Sequence, residues 1–133
     1  MVLVDANVLL DILTEDPEWC AWSEAKLLDA VETDDLAINP VIFAELAPAY
    51  RREAELERAL RGWTLRRLAL PYEAAFLVGQ AFVRYRREGG GRRSPLPDFY
   101  IGAHAEVQQL KLMTRDTARY RTYFPRVQLI SPN

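Results

Sequence analysis

Residues 2–13 read VLVDANVLLDIL, and this stretch decides the fold. Val2, Leu3 and Val4 form a short apolar run that ends on Asp5; beyond it apolar residues fall at Val8, Leu9, Ile12 and Leu13, a helical spacing. Together these predict a buried strand that passes straight into a helix. In an open α/β sheet, ligands bind in the crevice outside the carboxyl ends of the strands, so a carboxylate on the last residue of strand one is a candidate site residue. Asp5 is that residue. Aspartate is also a good helix N-cap, and strand-to-helix turns often end in Asp for that reason alone.

Outward from this segment, strands and helices alternate. Asp16 and Pro17 give a cap-then-proline signal, and a helix is predicted to about Glu32, with Trp19, Trp22, Ala25, Leu28 and Val31 as its buried stripe. Leu36 to Ile38 reads as a strand, after which Asn39 and Pro40 open a helix with an apolar face of Ile42, Phe43, Leu46, Ala47 and Tyr50, kinked or divided at Pro48. Arg51 to Arg61 is a charged helix, Trp63 to Leu70 a strand, and the helix from Pro71 turns Ala74, Leu77, Val78, Ala81, Phe82 and Tyr85 inward. Gly89-Gly90-Gly91, with Arg92 and Arg93, forms a flexible basic loop leading into Pro97-Asp98 and another helix. Lys111 to Thr114 is a strand, a short helix runs through Tyr123, and Arg126 to Ile130 is a last strand. About five short strands with helical connections predict an α/β fold: a parallel sheet with right-handed crossovers and helices on both faces.

A chain of 133 residues suits a single domain over 1–133 and can bury a core without a disulfide or metal staple. Half of its residues are hydrophobic and 27% are charged, which excludes a disordered chain. Cys20 is the lone cysteine, so no internal disulfide can form, and Asp5, Asn7 and Asp11 interrupt the first apolar run, which is neither a secretory signal nor a membrane span. A reducing cytoplasm is the expected setting. The net charge of −2 conceals a polarity in sequence: eleven acidic residues against Lys26 alone up to Pro48, and sixteen basic against eight acidic beyond it. Fifteen of the seventeen basic residues are arginine, which suits forked contacts to phosphate and equally fits a GC-rich genome.

Four carboxylates stand out. Asp5 and Asp116 each follow a strand, while Glu45 and Asp98 lie in helices that this architecture can bring to the same edge of the sheet. Each has an ordinary explanation by itself: Glu45 borders the apolar face of its helix, and Asp98 sits in a first turn where the helix dipole favours an acid. Four acids meeting in one crevice need their repulsion offset, and a divalent cation is the usual agent.

VLVDANVLLDIL, NPVIFAEL, PDFYIGAHA and LMTRD, in this order over nearly the whole chain, resemble the PIN-domain family, and within it the small VapC-type ribonuclease toxins of prokaryotic toxin–antitoxin pairs. The resemblance implies a three-layer α/β/α fold with strand order 3-2-1-4-5. It also implies an acidic active site at Asp5, Glu45, Asp98 and Asp116, with Asn7 and Thr114 as accessory polar residues, Thr114 orienting a carboxylate or a bound water. Oxygen ligands without His or Cys favour Mg²⁺ or Mn²⁺, one ion or two, which would polarise a phosphodiester and align water for in-line attack. Asp5 and Asp116 are expected as direct ligands, with Asp98 direct or through water and Glu45 on a second ion or the attacking water. Arg87, Arg92, Arg93 and Arg115 are candidate contacts to RNA. The resemblance further implies a homodimer and an antitoxin whose C-terminal segment covers the acidic site. A nuclease of RNA processing and a mainly protein-binding PIN subunit remain alternatives. A haloacid-dehalogenase-like phosphatase would need a second Asp where Asn7 stands, and a response-regulator receiver would need a strand-terminal Lys, which neither Lys26 nor Lys111 supplies. His104, six residues after Asp98, falls about 120° round the helix from it and reads as structural or surface.

Overall fold

The computed structural model describes residues 1–132; Asn133, the last position of the expected domain, lies outside the described residues. Five parallel strands, β1 (Val2–Val4), β2 (Leu36–Ile38), β3 (Arg66–Arg67), β4 (Lys111–Met113) and β5 (Leu129–Ile130), form one sheet in the order β3-β2-β1-β4-β5. The predicted order 3-2-1-4-5 is thus found. Seven α-helices connect or follow the strands: α1 (Ala6–Leu13), α2 (Cys20–Thr33), α3 (Pro40–Leu46), α4 (Glu53–Leu60), α5 (Tyr72–Arg87), α6 (Pro97–Gln108) and α7 (Ala118–Tyr123).

β1 is the central strand, with Val2 and Leu3 opposite Leu36 and Ala37 on one side and Val2, Leu3 and Val4 opposite Lys111, Leu112 and Met113 on the other. All three of its residues are buried, as expected for a parallel strand covered on both faces by helices. Its carboxyl end opens directly on Asp5. That end is where the chain reverses direction across the sheet, between β2 and β4, the position at which such sheets bind ligands.

Local chemistry sets the helix starts. Asp5 caps α1 by accepting from the Ala6 amide at 2.8 Å, and Asn39 caps α3 through the Ile42 amide at 2.9 Å. Asp16 accepts from the Glu18 and Trp19 amides, but this shapes the turn ahead of α2, which begins at Cys20. Pro48 divides its segment as expected, with α3 ending at Leu46 and a 3₁₀ turn over Ala47–Ala49.

Three predicted elements are corrected, the first being the last strand, expected over Arg126–Ile130 and found only at Leu129–Ile130 because the Val127 amide turns back to donate to Phe124. In α2 the buried residues are Ser23 and Leu27, whereas Leu28 and Val31 are 50% and 45% exposed. A strict three-residue step drifts round a helix of 3.6 residues per turn, and Ser23 turns inward because its hydroxyl donates to buried Asp11 at 2.7 Å. The strand expected over residues 63–70 shrinks to Arg66–Arg67, because Trp63 ends a 3₁₀ turn and Thr64 is left-handed at φ 40°. Leu68 still donates to Ile38 at 2.9 Å, so the edge pairing continues one residue further.

Helices α5, α6 and α7 close around a cluster of aromatic rings. Phe99 packs edge-on against Phe82, Tyr85 and Phe124, and Tyr123 tilts over it with centroids 5.2 Å apart. Gly102 admits the Phe124 ring: a Cβ there would lie 2.4 Å from it. This packing fixes the first turn of α6, which carries Asp98.

Candidate active site

The structure brings Asp5, Glu45, Asp98 and Asp116 to one crevice of about 310 Å³ beyond the carboxyl ends of β1 and β4, lined also by Asn7, Leu10, Leu96, Pro97 and Tyr120. Each acid arrives on a different support. Asp5 ends β1, Glu45 lies in the last turn of α3, Asp98 is the second residue of α6, and Asp116 is in the loop between β4 and α7. They differ in solvation: Asp5 is buried, Glu45 and Asp98 are half-buried, and Asp116 is exposed.

Asp5 is the most constrained. Its Oδ1 accepts from the Ala6 amide at 2.8 Å; its Oδ2 accepts from the Tyr120 hydroxyl at 2.8 Å and the Thr114 hydroxyl at 2.9 Å, with the Asn7 side-chain amide at 3.5 Å. Burial still raises its pKa above the ordinary aspartate value, against these hydrogen bonds. Asn7 and Thr114, the two expected accessory positions, thus both contact Asp5. Asn7 donates to Thr114 at 3.2 Å and accepts the Arg115 amide at 3.1 Å, and Thr114 Oγ1 accepts the Asp116 amide at 3.2 Å, which links the β4–α7 loop to the end of β1.

The remaining acids feel one another. The Glu45 carboxyl is pushed up to about 7, by burial first and then by the charges of Asp5 and Asp98. Burial also raises Asp98, opposed by Arg119, whose Nε lies 3.2 Å from Asp98 Oδ2. The Arg119 guanidinium in turn rests over the Tyr85 and Phe99 rings, 5.4 and 5.8 Å from their centroids.

The predicted arginine contacts separate into two groups. Arg87, Arg92 and Arg93 are exposed on the segment that leads to Leu96 and Pro97 at the crevice rim, and the Arg92 carbonyl accepts from Arg86 at 2.5 Å. Arg115 instead turns away from the crevice, its guanidinium gripping both oxygens of Asp11 and lying 5.1 Å from the Trp19 ring centroid. His104 is buried and structural: the Asn39 amide donates to its Nδ1 at 3.0 Å, its Nε2 donates to Gln108 at 2.9 Å, and burial lowers its pKa.

Two residues escaped the reading of the sequence. Nothing in the sequence sets Tyr120 apart from the other tyrosines, although a buried phenol must find a hydrogen-bond partner. Burial and the adjacent Asp5 charge push that phenol well above its usual range, so it remains a donor. Arg119 had no distinguishing feature among many arginines.

A profile of the PIN-domain family matches residues 2–125. The chain belongs to the PIN-domain family. PIN domains are generally nucleases that use divalent metal ions. Among solved structures this PIN domain is similar to VapBC2 from Rickettsia felis bound to a promoter DNA fragment, with a TM-score of 0.76, 16% identity and 100% of both chains covered. It is also similar to FitAcB from Neisseria gonorrhoeae, at TM-score 0.69 and 23% identity over 99% of this chain and 98% of that one. A toxin–antitoxin complex from Klebsiella pneumoniae matches at TM-score 0.68 and 24% identity, over 100% and 98% of the two chains. These likenesses concern the fold. No curated protein sequence matches this PIN domain.

The acids of this PIN domain fit a hard divalent cation in kind. Carboxylate oxygens line the crevice without thiolate or imidazole, and the rise of Glu45 under the charges of Asp5 and Asp98 is a repulsion that a cation relieves. Among the described residues no three His, Cys, Asp or Glu side chains form a ready-made metal cluster, so the acids face a common space without closing on one point.

Proposed function

We propose that this PIN domain is a metal-dependent endoribonuclease that hydrolyses RNA phosphodiester bonds, acting as the toxin of a VapBC-type toxin–antitoxin pair. The observation that carries the nuclease chemistry is the meeting of Asp5, Glu45, Asp98 and Asp116 in one crevice, with the Glu45 carboxyl raised to about 7 by burial and by the charges of Asp5 and Asp98. RNA as the substrate rests on the resemblance to VapC-type toxins.

Asp5, Asp98 and Asp116 would hold Mg²⁺ or Mn²⁺, one ion or two, with Glu45 at a second ion or at the attacking water. When bound, such an ion would supply charge neutralisation and Lewis acidity at the scissile phosphate. The chain's own residues supply the rest. Glu45 Oε, with a pKa of about 7, exchanges a proton near neutral pH, which suits a group that orients or deprotonates the attacking water. Thr114 and Asn7 hold Asp5 and the Asp116 loop in register. Arg87, Arg92 and Arg93 hold the RNA backbone at the rim, while the contacts of Arg115 suit it to bracing the loop.

Two protein partners accompany this function. The C-terminal segment of an antitoxin would cover the acidic crevice, and an apolar cleft of about 380 Å³ at the carboxyl ends of β2 and β3, lined by Ile38, Pro40, Phe43, Leu68 and Ala69 with Arg67 at its side, would seat the apolar part of that chain. A second copy would meet α5, whose Tyr72, Phe76 and Val83 are 92%, 72% and 50% exposed. Antiparallel pairing of two α5 helices would bury this stripe and bring the first turn of one, with Glu73, towards the last turn of the other, with Arg86 and Arg87. No helix among the described residues is long and apolar enough to cross a membrane. The proposed place of action is the cytoplasm, because the proposed RNA substrate is there.

The deciding experiment is cleavage of a labelled pool of structured RNA by the full chain with Mg²⁺, Mn²⁺ or EDTA, beside the Asp5→Asn variant. Cleavage that requires both metal and Asp5 is the expected result. No cleavage by folded, metal-loaded protein, or cleavage indifferent to EDTA, would overturn it.

A further inference from the structure

Asp5 is the one buried acid of the four, and its two oxygens are engaged unequally. Oδ1 accepts a single hydrogen bond, from the Ala6 amide at 2.8 Å, whereas Oδ2 accepts two short ones from hydroxyls, Tyr120 at 2.8 Å and Thr114 at 2.9 Å, and a long one from the Asn7 side-chain amide at 3.5 Å. A carboxylate oxygen offers about two lone-pair positions, so the hydroxyls fill Oδ2 and leave Oδ1 one free position. Thr114 is not a sufficient guard by itself, because its one proton has a second acceptor in the Asp116 carbonyl at 3.2 Å. The Tyr120 phenol is 2% exposed and lines the crevice, so it reaches Oδ2 from the side on which a ligand would approach. It also ties α7 to the end of β1, with Asp116 in the loop between them.

We propose that Tyr120 is a positioning residue that makes Asp5 a one-oxygen ligand, and thereby makes the crevice prefer Mg²⁺ over Ca²⁺. The proposal rests on the reading of the crevice as a cation site. Mg²⁺ demands a near-octahedral shell of single oxygens, whereas Ca²⁺ takes six to eight and accepts a carboxylate by both oxygens at once. With Oδ2 held by the phenol, two-oxygen binding requires breaking a buried hydrogen bond. Without the phenol, Asp5 can rotate and chelate.

The test is calorimetric titration of the full chain with Mg²⁺ and with Ca²⁺, without RNA, for the natural sequence, Tyr120→Phe and Asp5→Asn. Phenylalanine keeps the ring and its packing and removes only the hydroxyl. Removal of a residue that orients a metal ligand typically weakens binding about 10–100-fold. The expected result is Mg²⁺ affinity lowered about tenfold in Tyr120→Phe with Ca²⁺ affinity little changed, so that the Mg²⁺/Ca²⁺ preference falls about tenfold. A role in stability alone would lower the folded fraction and leave that ratio unchanged. Thr114→Val strips the other hydroxyl from Oδ2 and is expected to move the preference in the same direction, which keeps the test open if the tyrosine variant does not fold. Loss of binding in Asp5→Asn together with an unchanged preference in both hydroxyl variants would overturn this proposal alone. Failure of the natural sequence to bind either ion, or equal binding by Asp5→Asn, would overturn the cation reading and this inference with it.

Discussion

Arg115 and Asp11, 104 positions apart, form a two-pronged ion pair in which Nε and Nη2 lie 2.6 and 2.8 Å from the two carboxylate oxygens. Asp11 is 2% exposed, and its other partner is the Ser23 hydroxyl. The pair fastens the strand-end loop that precedes Asp116 to the joint between α1 and α2. Removing one member of a buried pair strands the other charge, at a cost of about 3–5 kcal/mol. Arg115→Met is expected to lower stability by about that amount in thermal or urea unfolding, and to leave the RNA dissociation constant within about twofold when measured well below the unfolding temperature. A large loss of RNA affinity in the folded variant would return Arg115 to the binding surface.

Glu45 gives the protein a pH signature. Its carboxyl sits at about 7 in the fold against 4.5 in the unfolded chain. Between those values the folded state keeps a proton that the unfolded state releases, so this group's contribution is fully present below about 4.5 and is lost as pH rises through 7. Asp5 and Asp98, also raised, act in the same direction; His104, lowered by burial, acts oppositely below its ordinary range. Glu45→Gln isolates the one group. Its stability relative to the natural sequence is expected to improve between pH 5 and pH 8 by about 1–2 kcal/mol, after allowance for the partial solvation of Glu45. Unfolding temperatures that run parallel across that range would refute the assignment.

Divalent cation should stabilise the fold. A ligand at 100 times its dissociation constant adds about 2.7 kcal/mol to a state that alone binds it. Mg²⁺ is expected to raise the unfolding temperature of the natural sequence, EDTA to reverse the rise, and Asp5→Asn to show none. Because Glu45 is deprotonated at higher pH, the rise should be greater at pH 8 than at pH 5.5, and scanning calorimetry at the two pH values reads it directly.

The exposed arginines of the loop before α6 should act through charge alone. For single-stranded RNA each phosphate contact contributes about 0.7 to the slope of log affinity against log salt. Joint replacement of Arg87, Arg92 and Arg93 by Gln is expected to reduce that slope by about 2 and to leave cleavage of bound RNA unchanged. Filter binding across a salt series settles it, and an unaltered slope would remove these residues from the RNA path.

Gly102 offers a test of the packing behind the site. A Cβ there meets the Phe124 ring at 2.4 Å, and overpacking of this kind costs about 1–3 kcal/mol. Gly102→Ala is therefore expected to lower stability despite alanine's better helix propensity, and a stabilised variant in denaturant unfolding would contradict the packing.

Much of this was legible in the sequence because it lay in local signals. Val2–Val4 running into Asp5, the Asn39-Pro40 start of α3 and the division at Pro48 are short-range chemistry, and the alternation of strands and helices gave the parallel sheet. What was misread depended on long-range partners. Leu28 and Val31 face outward because Ser23 is drawn in by Asp11, a contact twelve positions back that no helical period reveals. The strand expected through Trp63–Leu70 was cut short by the left-handed turn at Thr64. Four acids could be picked out one by one. That Tyr120 guards one of them, and that Arg115 is spent on Asp11, follows only from bringing residues more than a hundred positions apart into contact.

The pairing of β1 with β4 has a kinetic meaning as well. Asp5 and Thr114 are 109 positions apart and Asp5 and Tyr120 are 115 apart, so the crevice exists only after one of the longest loops in the chain has closed. Contacts of such separation are slow to form and come late in folding. A folding intermediate holding β1, β2 and their helices would carry Asp5 and Glu45 without Asp116 or the hydroxyls that hold Asp5. Completion of the fold is therefore the event that assembles the crevice.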